Sequence, residues 1–144
     1  LNPSPISDAL KACRLDLVNY FILNEVEGEA LTGVSAEDPE GVLGGLKKTF
    51  PNAGFVLTLG ENGAVFAKGD EKAAHGIYKV KAVDTTAAGD TFCGFFIAGM
   101  TKGWDKDKLI KYASAASGIA VSRPGAAPSV PTLAEVEAFI AERG

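Results

Sequence analysis

Apolar residues recur along this chain with two different periods, and the alternation between them predicts its elements. Val18 to Leu23 and Gly54 to Leu59 are near-continuous apolar runs of strand length, the pattern of strands buried on both faces. His75 to Val83 alternates apolar and polar positions and predicts a further strand. Gly60-Glu61-Asn62-Gly63 followed by Ala64 to Ala67 reads as a hairpin, with Asn-Gly suited to positive φ. Helical spacing and capping residues predict helices over Ser7 to Arg14 with Ser7 as N-cap, over Glu25 to Leu31 with a stop at Gly33, and over Ala36 to Thr49, starting near Pro39. Three more follow at Ala88 to Lys102, Lys106 to Ser122 and Leu133 to Arg143, parted by Gly103-Trp104 and by the Pro/Gly loop Arg123 to Pro131. Strands alternating with helices, plus one hairpin, imply an α/β fold with a mixed, mostly parallel sheet covered by helices.

Composition narrows the class. The 144 residues are 47% hydrophobic and 22% charged, with a formal charge of −4, as in an ordinary globular domain, and one domain is the default. No run is long and apolar enough for a membrane span and no signal-peptide pattern opens the chain, so a cytoplasmic protein is expected. An acidic balance without a basic stripe argues against nucleic acid as a partner. Cys13 and Cys93 lie far apart with no C-x-x-C, and are expected to be reduced, packed thiols. His75 is the single histidine, which leaves no His-based metal cluster and no Ser-His-Asp triad. Neither a P-loop nor a G-x-G-x-x-G motif occurs.

The richest chemistry lies in Asp84-Thr85-Thr86-Ala87-Ala88-Gly89-Asp90-Thr91-Phe92, where two carboxylates and a run of small residues open an apolar helix. Phe92, Phe95, Phe96 and Met100 recur at helical spacing, and Asp90 is the one charged residue between Ala88 and Thr101, so this helix is expected to be buried nearly all round. Its first turn offers unpaired N–H groups and the positive end of the helix dipole, and Ala87, Ala88 and Gly89 leave a phosphate room to reach them. An Asp in a first helical turn is also ordinary dipole chemistry, and Ala-Ala-Gly also serves close packing.

Elsewhere, Asn24-Glu25-Val26-Glu27 follows a buried strand, where α/β folds collect ligand groups, and it has equally the spacing of a capping box. Thr58-Leu59-Gly60-Glu61-Asn62-Gly63 is by itself a strand end and tight turn. Ala113-Ser114-Ala115-Ala116-Ser117-Gly118 is a small-residue helix face suited to close packing, or to a flat ring lying against it. Arg123 to Pro131 reads as a surface loop.

Val83 to Phe92 resembles the signature of the ribokinase (PfkB-type) family of sugar kinases, and the resemblance runs through most of the chain. It implies a three-layer ribokinase-like α/β fold. It also implies a catalytic base at Asp90 and an anion hole from the amides of Ala87, Ala88, Gly89 and Asp90. Asn24 and Glu27 match the family's N-x-x-E motif, which organises Mg2+ and its waters near the nucleotide phosphates; Asn24 is thereby also a nucleotide contact. Thr58, Leu59, Gly60, Glu61, Asn62 and Gly63 match its Thr-Leu-Gly-x-x-Gly nucleotide contact, joined by Gly89 and by Ser114, which stands where many members have a base-touching Asn. Cys93 replaces the usual Asn after Thr-Phe. The last loop resembles the family's K+ site, implying a monovalent cation held by Asp84, Thr86, Ala120, Arg123, Gly125 and Ser129.

The resemblance further implies a substrate pair of ATP and a sugar. Ribose is favoured by the wording of the signature and of Gly125-Ala126-Ala127-Pro128-Ser129-Val130-Pro131; fructokinase-like or adenosine kinase-like acceptors are the alternatives, and a non-catalytic nucleotide-binding module is an alternative of another class. In the family a Leu-Asn-Pro-x-Pro stretch, here Leu1 to Pro5, follows a mid-chain strand. The chain is accordingly expected to be the C-terminal, nucleotide-binding part of an enzyme, without the sugar-binding part and lid, inactive alone and homodimeric when whole.

Overall fold

Two strands of continuous apolar character, β1 (Tyr20–Asn24) and β2 (Gly54–Thr58), run parallel in register, Phe21 beside Phe55 and Leu23 beside Leu57. β3 (Ala64–Lys68) returns antiparallel to β2, and β4 (Glu71–His75) completes a mixed sheet of order β1-β2-β3-β4. The computed structural model describes residues 1–144 and divides into two compact units, Leu1–Ala74 and His75–Gly144.

In the first unit, α1 (Asp8–Lys11), capped by Ser7, stops short of the Arg14 end expected for it, and a 3-10 turn follows at Leu15–Leu17. The parallel β1–β2 connection carries α2 (Glu25–Thr32) and α3 (Pro39–Thr49), the latter opened by Asp38 as cap and Pro39 in its first turn. Phe21, Leu23, Val42, Leu46, Phe55 and Leu57 form the centre of the core, with the rings of Phe21 and Phe55 stacked 5.7 Å apart. Burying each such large side chain contributes about 1.5–3 kcal/mol relative to leaving it in water.

The hairpin prediction holds in pairing and differs in detail. β2 and β3 are joined by a loop with a 3-10 turn at Gly60–Asn62, closed by the Leu59 N–H to the Gly63 carbonyl at 2.7 Å. Positive φ falls on Gly60 (52°) and Gly63 (89°), and not on Asn62. The strand expected at His75 to Val83 lies instead at Glu71–His75. A tight turn with Gly69 at φ 55° folds that polar, alanine-containing segment back onto β3, so pairing overrides weak strand propensity. Residues 76–83 have no ladder; Tyr78 packs edge-on against Phe139, and Arg143 Nη1 donates to the Lys79 carbonyl at 2.8 Å.

The second unit is helical: α4 (Ala88–Thr101), α5 (Lys106–Val121) and α6 (Leu133–Arg143), with a 3-10 turn at Ala127–Ser129. At the α4–α5 contact a Cβ on Gly99 would stand 2.6 Å from both Leu109 Cδ2 and Trp104 Cε3, so only glycine permits this approach. Ala115, Ala116, Ile119 and Val136 form the centre of the α5–α6 core. α4 is not buried all round: Phe92 and Phe96 are buried, whereas Gly94 and Ala98 are exposed and Ile97 is 51% exposed. Its apolar composition hid an open face that begins at Asp90. Cys13 is likewise exposed rather than packed, its thiol donating to the Ala9 carbonyl at 3.4 Å, and no disulfide is present.

Candidate functional site

Within the second unit the signature segment folds into a turn held from behind by its first carboxylate. Asp84 Oδ1 accepts from the Thr86 N–H (2.9 Å) and hydroxyl (2.5 Å), while Oδ2 accepts from the Gly125 N–H at 3.1 Å. The Thr86 hydroxyl, then the Thr86 and Gly125 N–H groups, hold the Asp84 carboxyl below its ordinary pKa. Both Val83 and Asp84 donate their N–H to the Val121 carbonyl, at 2.9 and 3.1 Å, which fixes the segment to the end of α5. The Asp84 to Gly125 bond joins residues 41 apart in sequence.

Ala87 is the N-cap of α4 and no side chain caps the first turn. The Ala88 N–H is taken by the Thr85 carbonyl at 3.2 Å and that of Thr91 by Ala87 at 2.9 Å, so Gly89 and Asp90 contribute the helix's unpaired donors. Gly89 and Asp90 are exposed, and a Cβ on Gly89 would meet nothing within 4 Å. The turn therefore presents open backbone N–H groups at a helix N-terminus beside an exposed carboxylate, an arrangement able to hold an anion and accept a proton. Asp90 also borders an open groove of about 280 Å³ lined by Thr91, Gly94, Phe95, Ala98 and Val130.

Of the residues expected around a monovalent cation, Asp84, Thr86 and Gly125 are brought together directly. Ala120 and Arg123 are joined by an N–H to carbonyl bond of 3.1 Å. Ser129 is buried, its hydroxyl donating to the Ala126 carbonyl at 2.6 Å. The bonds that gather Asp84, Thr86 and Gly125 use N–H and hydroxyl donors, which leaves the Thr86 and Gly125 carbonyls as oxygen ligands that would suit a monovalent cation. Ser114 is buried at 9% exposure on α5.

Within the first unit, register brings two distant motifs together: Asn24 ends β1 directly beside Thr58 at the end of β2, and the Thr58 hydroxyl donates to the Leu23 carbonyl at 3.4 Å. Asn24 and Glu27 form a full capping box, with the Glu27 N–H donating to Asn24 Oδ1 at 2.8 Å and the Asn24 N–H to Glu27 Oε2 at 3.0 Å. The capping role is thus realised, and Glu27 Oε1 remains available to a water of a hard cation such as Mg2+. No group of three His, Cys, Asp or Glu gathers anywhere, so a divalent ion would need ligands from water and substrate as well. Leu59 is half-buried, Gly60, Glu61 and Asn62 are exposed, and Gly63 is buried.

Sequence spacing missed three contacts. Thr132 and Glu135 cap α6 reciprocally, and Arg123 Nη2 reaches Glu135 Oε1 at 2.8 Å, tying the loop after α5 to α6. The T-x-x-E spacing was the available signal for the first of these. The Ser117 hydroxyl donates to the Ala88 carbonyl at 3.0 Å, a bond that no local pattern announces.

The profile of the pfkB family carbohydrate kinases matches residues 1–133, and the chain belongs to that family. It is 36% identical over 140 residues to a ribokinase of Staphylococcus aureus, covering 94% of this chain and 45% of that protein. The ribokinase of Arabidopsis thaliana solved with ribose and ATP superposes with a TM-score of 0.81 at 29% identity, over 88% of this chain and 42% of its own. A chain from Escherichia coli solved with ATP and Mg2+ gives a TM-score of 0.79 at 30% identity, over 89% of this chain and 41% of its own. The present chain thus spans about half the length of the curated relatives it matches. No helix is long and apolar enough to cross a membrane.

Proposed function

We propose that this chain carries the nucleotide cradle and catalytic base of a kinase that moves the γ-phosphoryl group of ATP onto a hydroxyl of ribose. The observation that carries the reading is the first turn of α4, where an exposed Asp90 stands among unpaired backbone donors and small side chains. Asp90 takes the proton of the acceptor hydroxyl as the phosphoryl group arrives. The unpaired amides of Gly89 and Asp90 stabilise charge on the transferring oxygens, the main resource of phosphoryl-transfer catalysis, while the Ala88 amide, expected to join them, is bonded to the Thr85 carbonyl. Mg2+, when bound with ATP, neutralises phosphate charge, and Asn24 and Glu27 are the residues to orient its waters. Thr58 to Gly63, Gly89 and Ser114 contact the nucleotide. Asp84, Thr86, Ala120, Arg123, Gly125 and Ser129 hold K+ or a similar ion, which stiffens the turn from behind. Support for ribose is that ribokinases of Staphylococcus aureus and Arabidopsis thaliana are among the proteins the chain resembles.

On this reading residues 1–144 are the nucleotide-binding part of a longer, cytoplasmic and homodimeric enzyme, with sugar recognition and lid supplied by further chain. The test is the intact protein with ATP, Mg2+ and K+ against ribose, deoxyribose, fructose and adenosine. Phosphorylation of ribose at the highest kcat/KM supports the assignment, preference for another acceptor changes the substrate within the family, and no transfer to any acceptor refutes catalysis.

A further inference from the structure

We propose that Ser117 is a positioning residue, whose hydrogen bond to the Ala88 carbonyl holds the first turn of α4 in the geometry that the transfer needs. The proposal rests on the reading of that turn as anion hole and base. Ala87, Ala88 and Gly89 have almost no side chain with which to fix the turn, no side chain caps it, and space is open around Gly89. Helix ends so placed fray. Ser117 supplies the one side-chain hydrogen bond that reaches residues 87–90 from another element, at 3.0 Å. It does so from α5, whose neighbouring Ala113, Ala115, Ala116 and Ala120 are all buried, so the anchor is itself rigid.

The acceptor matters. In the helical ladder the Ala88 carbonyl receives the N–H four residues on, and a carbonyl oxygen has a second lone pair. Ser117 uses that second site, so it ties the turn down without breaking the helix. The peptide held in this way lies between Ala88 and Gly89, and its other face is the Gly89 N–H, one of the two unpaired donors. A hydroxyl 29 residues away thus orients an anion-hole amide through one peptide plane. Because small misplacements of reacting groups are costly, loss of this tether should reach the chemical step before it reaches ground-state binding.

The experiment compares wild type, Ser117→Ala and Ser117→Thr in the intact protein. Ser117→Ala should lower kcat on the order of fivefold, as expected for one hydrogen bond, with KM for ATP and sugar nearly unchanged, and Ser117→Thr, which keeps the hydroxyl, should recover most of the loss. Amide exchange measured without nucleotide or sugar should quicken at Ala88, Thr91 and Phe92, the bonded amides of the turn, in Ser117→Ala and not across Leu133–Arg143, and should return to wild type in Ser117→Thr. Unchanged exchange in the turn overturns the proposal, as does faster exchange with unaltered kcat. If the wild type transfers no phosphate, the functional reading fails, and the exchange comparison alone decides whether Ser117 anchors the turn.

Discussion

Thr91 follows the proposed base and carries a hydroxyl that is buried and unpaired, which makes Thr91→Val an informative substitution. The residue is 3% exposed. A polar group buried without a partner costs about 1–3 kcal/mol, and valine replaces the hydroxyl by a methyl of similar size. Both side chains are β-branched and have nearly equal helix propensity, so entropy and propensity largely cancel. The net expectation is a stabilisation of about 1–2 kcal/mol, and a rise in Tm of about 3–8 °C for a chain of this size. Urea unfolding by circular dichroism measures it: the midpoint should move up with an unchanged slope. A fall in stability on Thr91→Val would refute the reasoning and show that the hydroxyl has a working partner beside Asp90.

Asp90→Asn in the intact protein should lower kcat roughly 10²-fold or more with little change in nucleotide affinity, read by steady-state kinetics beside a nucleotide titration; near-normal turnover removes Asp90 as base. Replacing K+ by tetramethylammonium should reduce the rate, and indifference across a wide titration leaves the Arg123 to Pro131 loop purely structural. Glu135 is lowered from 4.5 to about 2 by the Thr132 N–H, the Arg123 guanidinium and the Thr132 hydroxyl. Its folded pKa is depressed, so its contribution to stability is complete above about pH 4.5 and is lost as pH falls toward 2; Glu135→Gln should flatten that part of the acid-unfolding curve. Residues 1–144 alone should yield no sugar phosphate above a no-protein control, since nothing here is assigned to hold the hydroxyl in line.

Local chemistry makes several elements legible in the sequence alone. α6 spans Leu133–Arg143 as its helical spacing predicts, and β1 and β2 stand where apolar runs of strand length fall. The misreading at His75 to Val83 has a definite cause: alternation reports that a segment can be a strand, whereas a strand exists only where a neighbour pairs with it. Likewise, the phenylalanines of α4 recorded an apolar helix and not the exposure of Ile97. Within the site, Asn24 and Glu27 were visible both as chemistry and as a capping box, and the family resemblance already grouped Asp84 with Thr86 and Gly125, but the bonds that hold the turn were not visible. The Asp84 to Gly125 bond and the Ser117 to Ala88 bond join residues distant in sequence, and no window of residues encodes such a meeting.

The in-register ends of β1 and β2 bear on which length changes the chain can absorb. Asn24 and Thr58 are opposed because both strands carry the same number of residues from Tyr20 and Gly54 onward. One residue inserted into either strand would send Phe21 or Phe55 to the opposite face and slide one motif past the other. The joint between α2 and α3, exposed at Gly33, Ser35, Glu37 and Asp38, carries no such phase relationship. Natural length variation, peptide tags and inserted reporter domains should therefore be tolerated there and rejected within the strands, a pattern that a scan of single insertions would display directly.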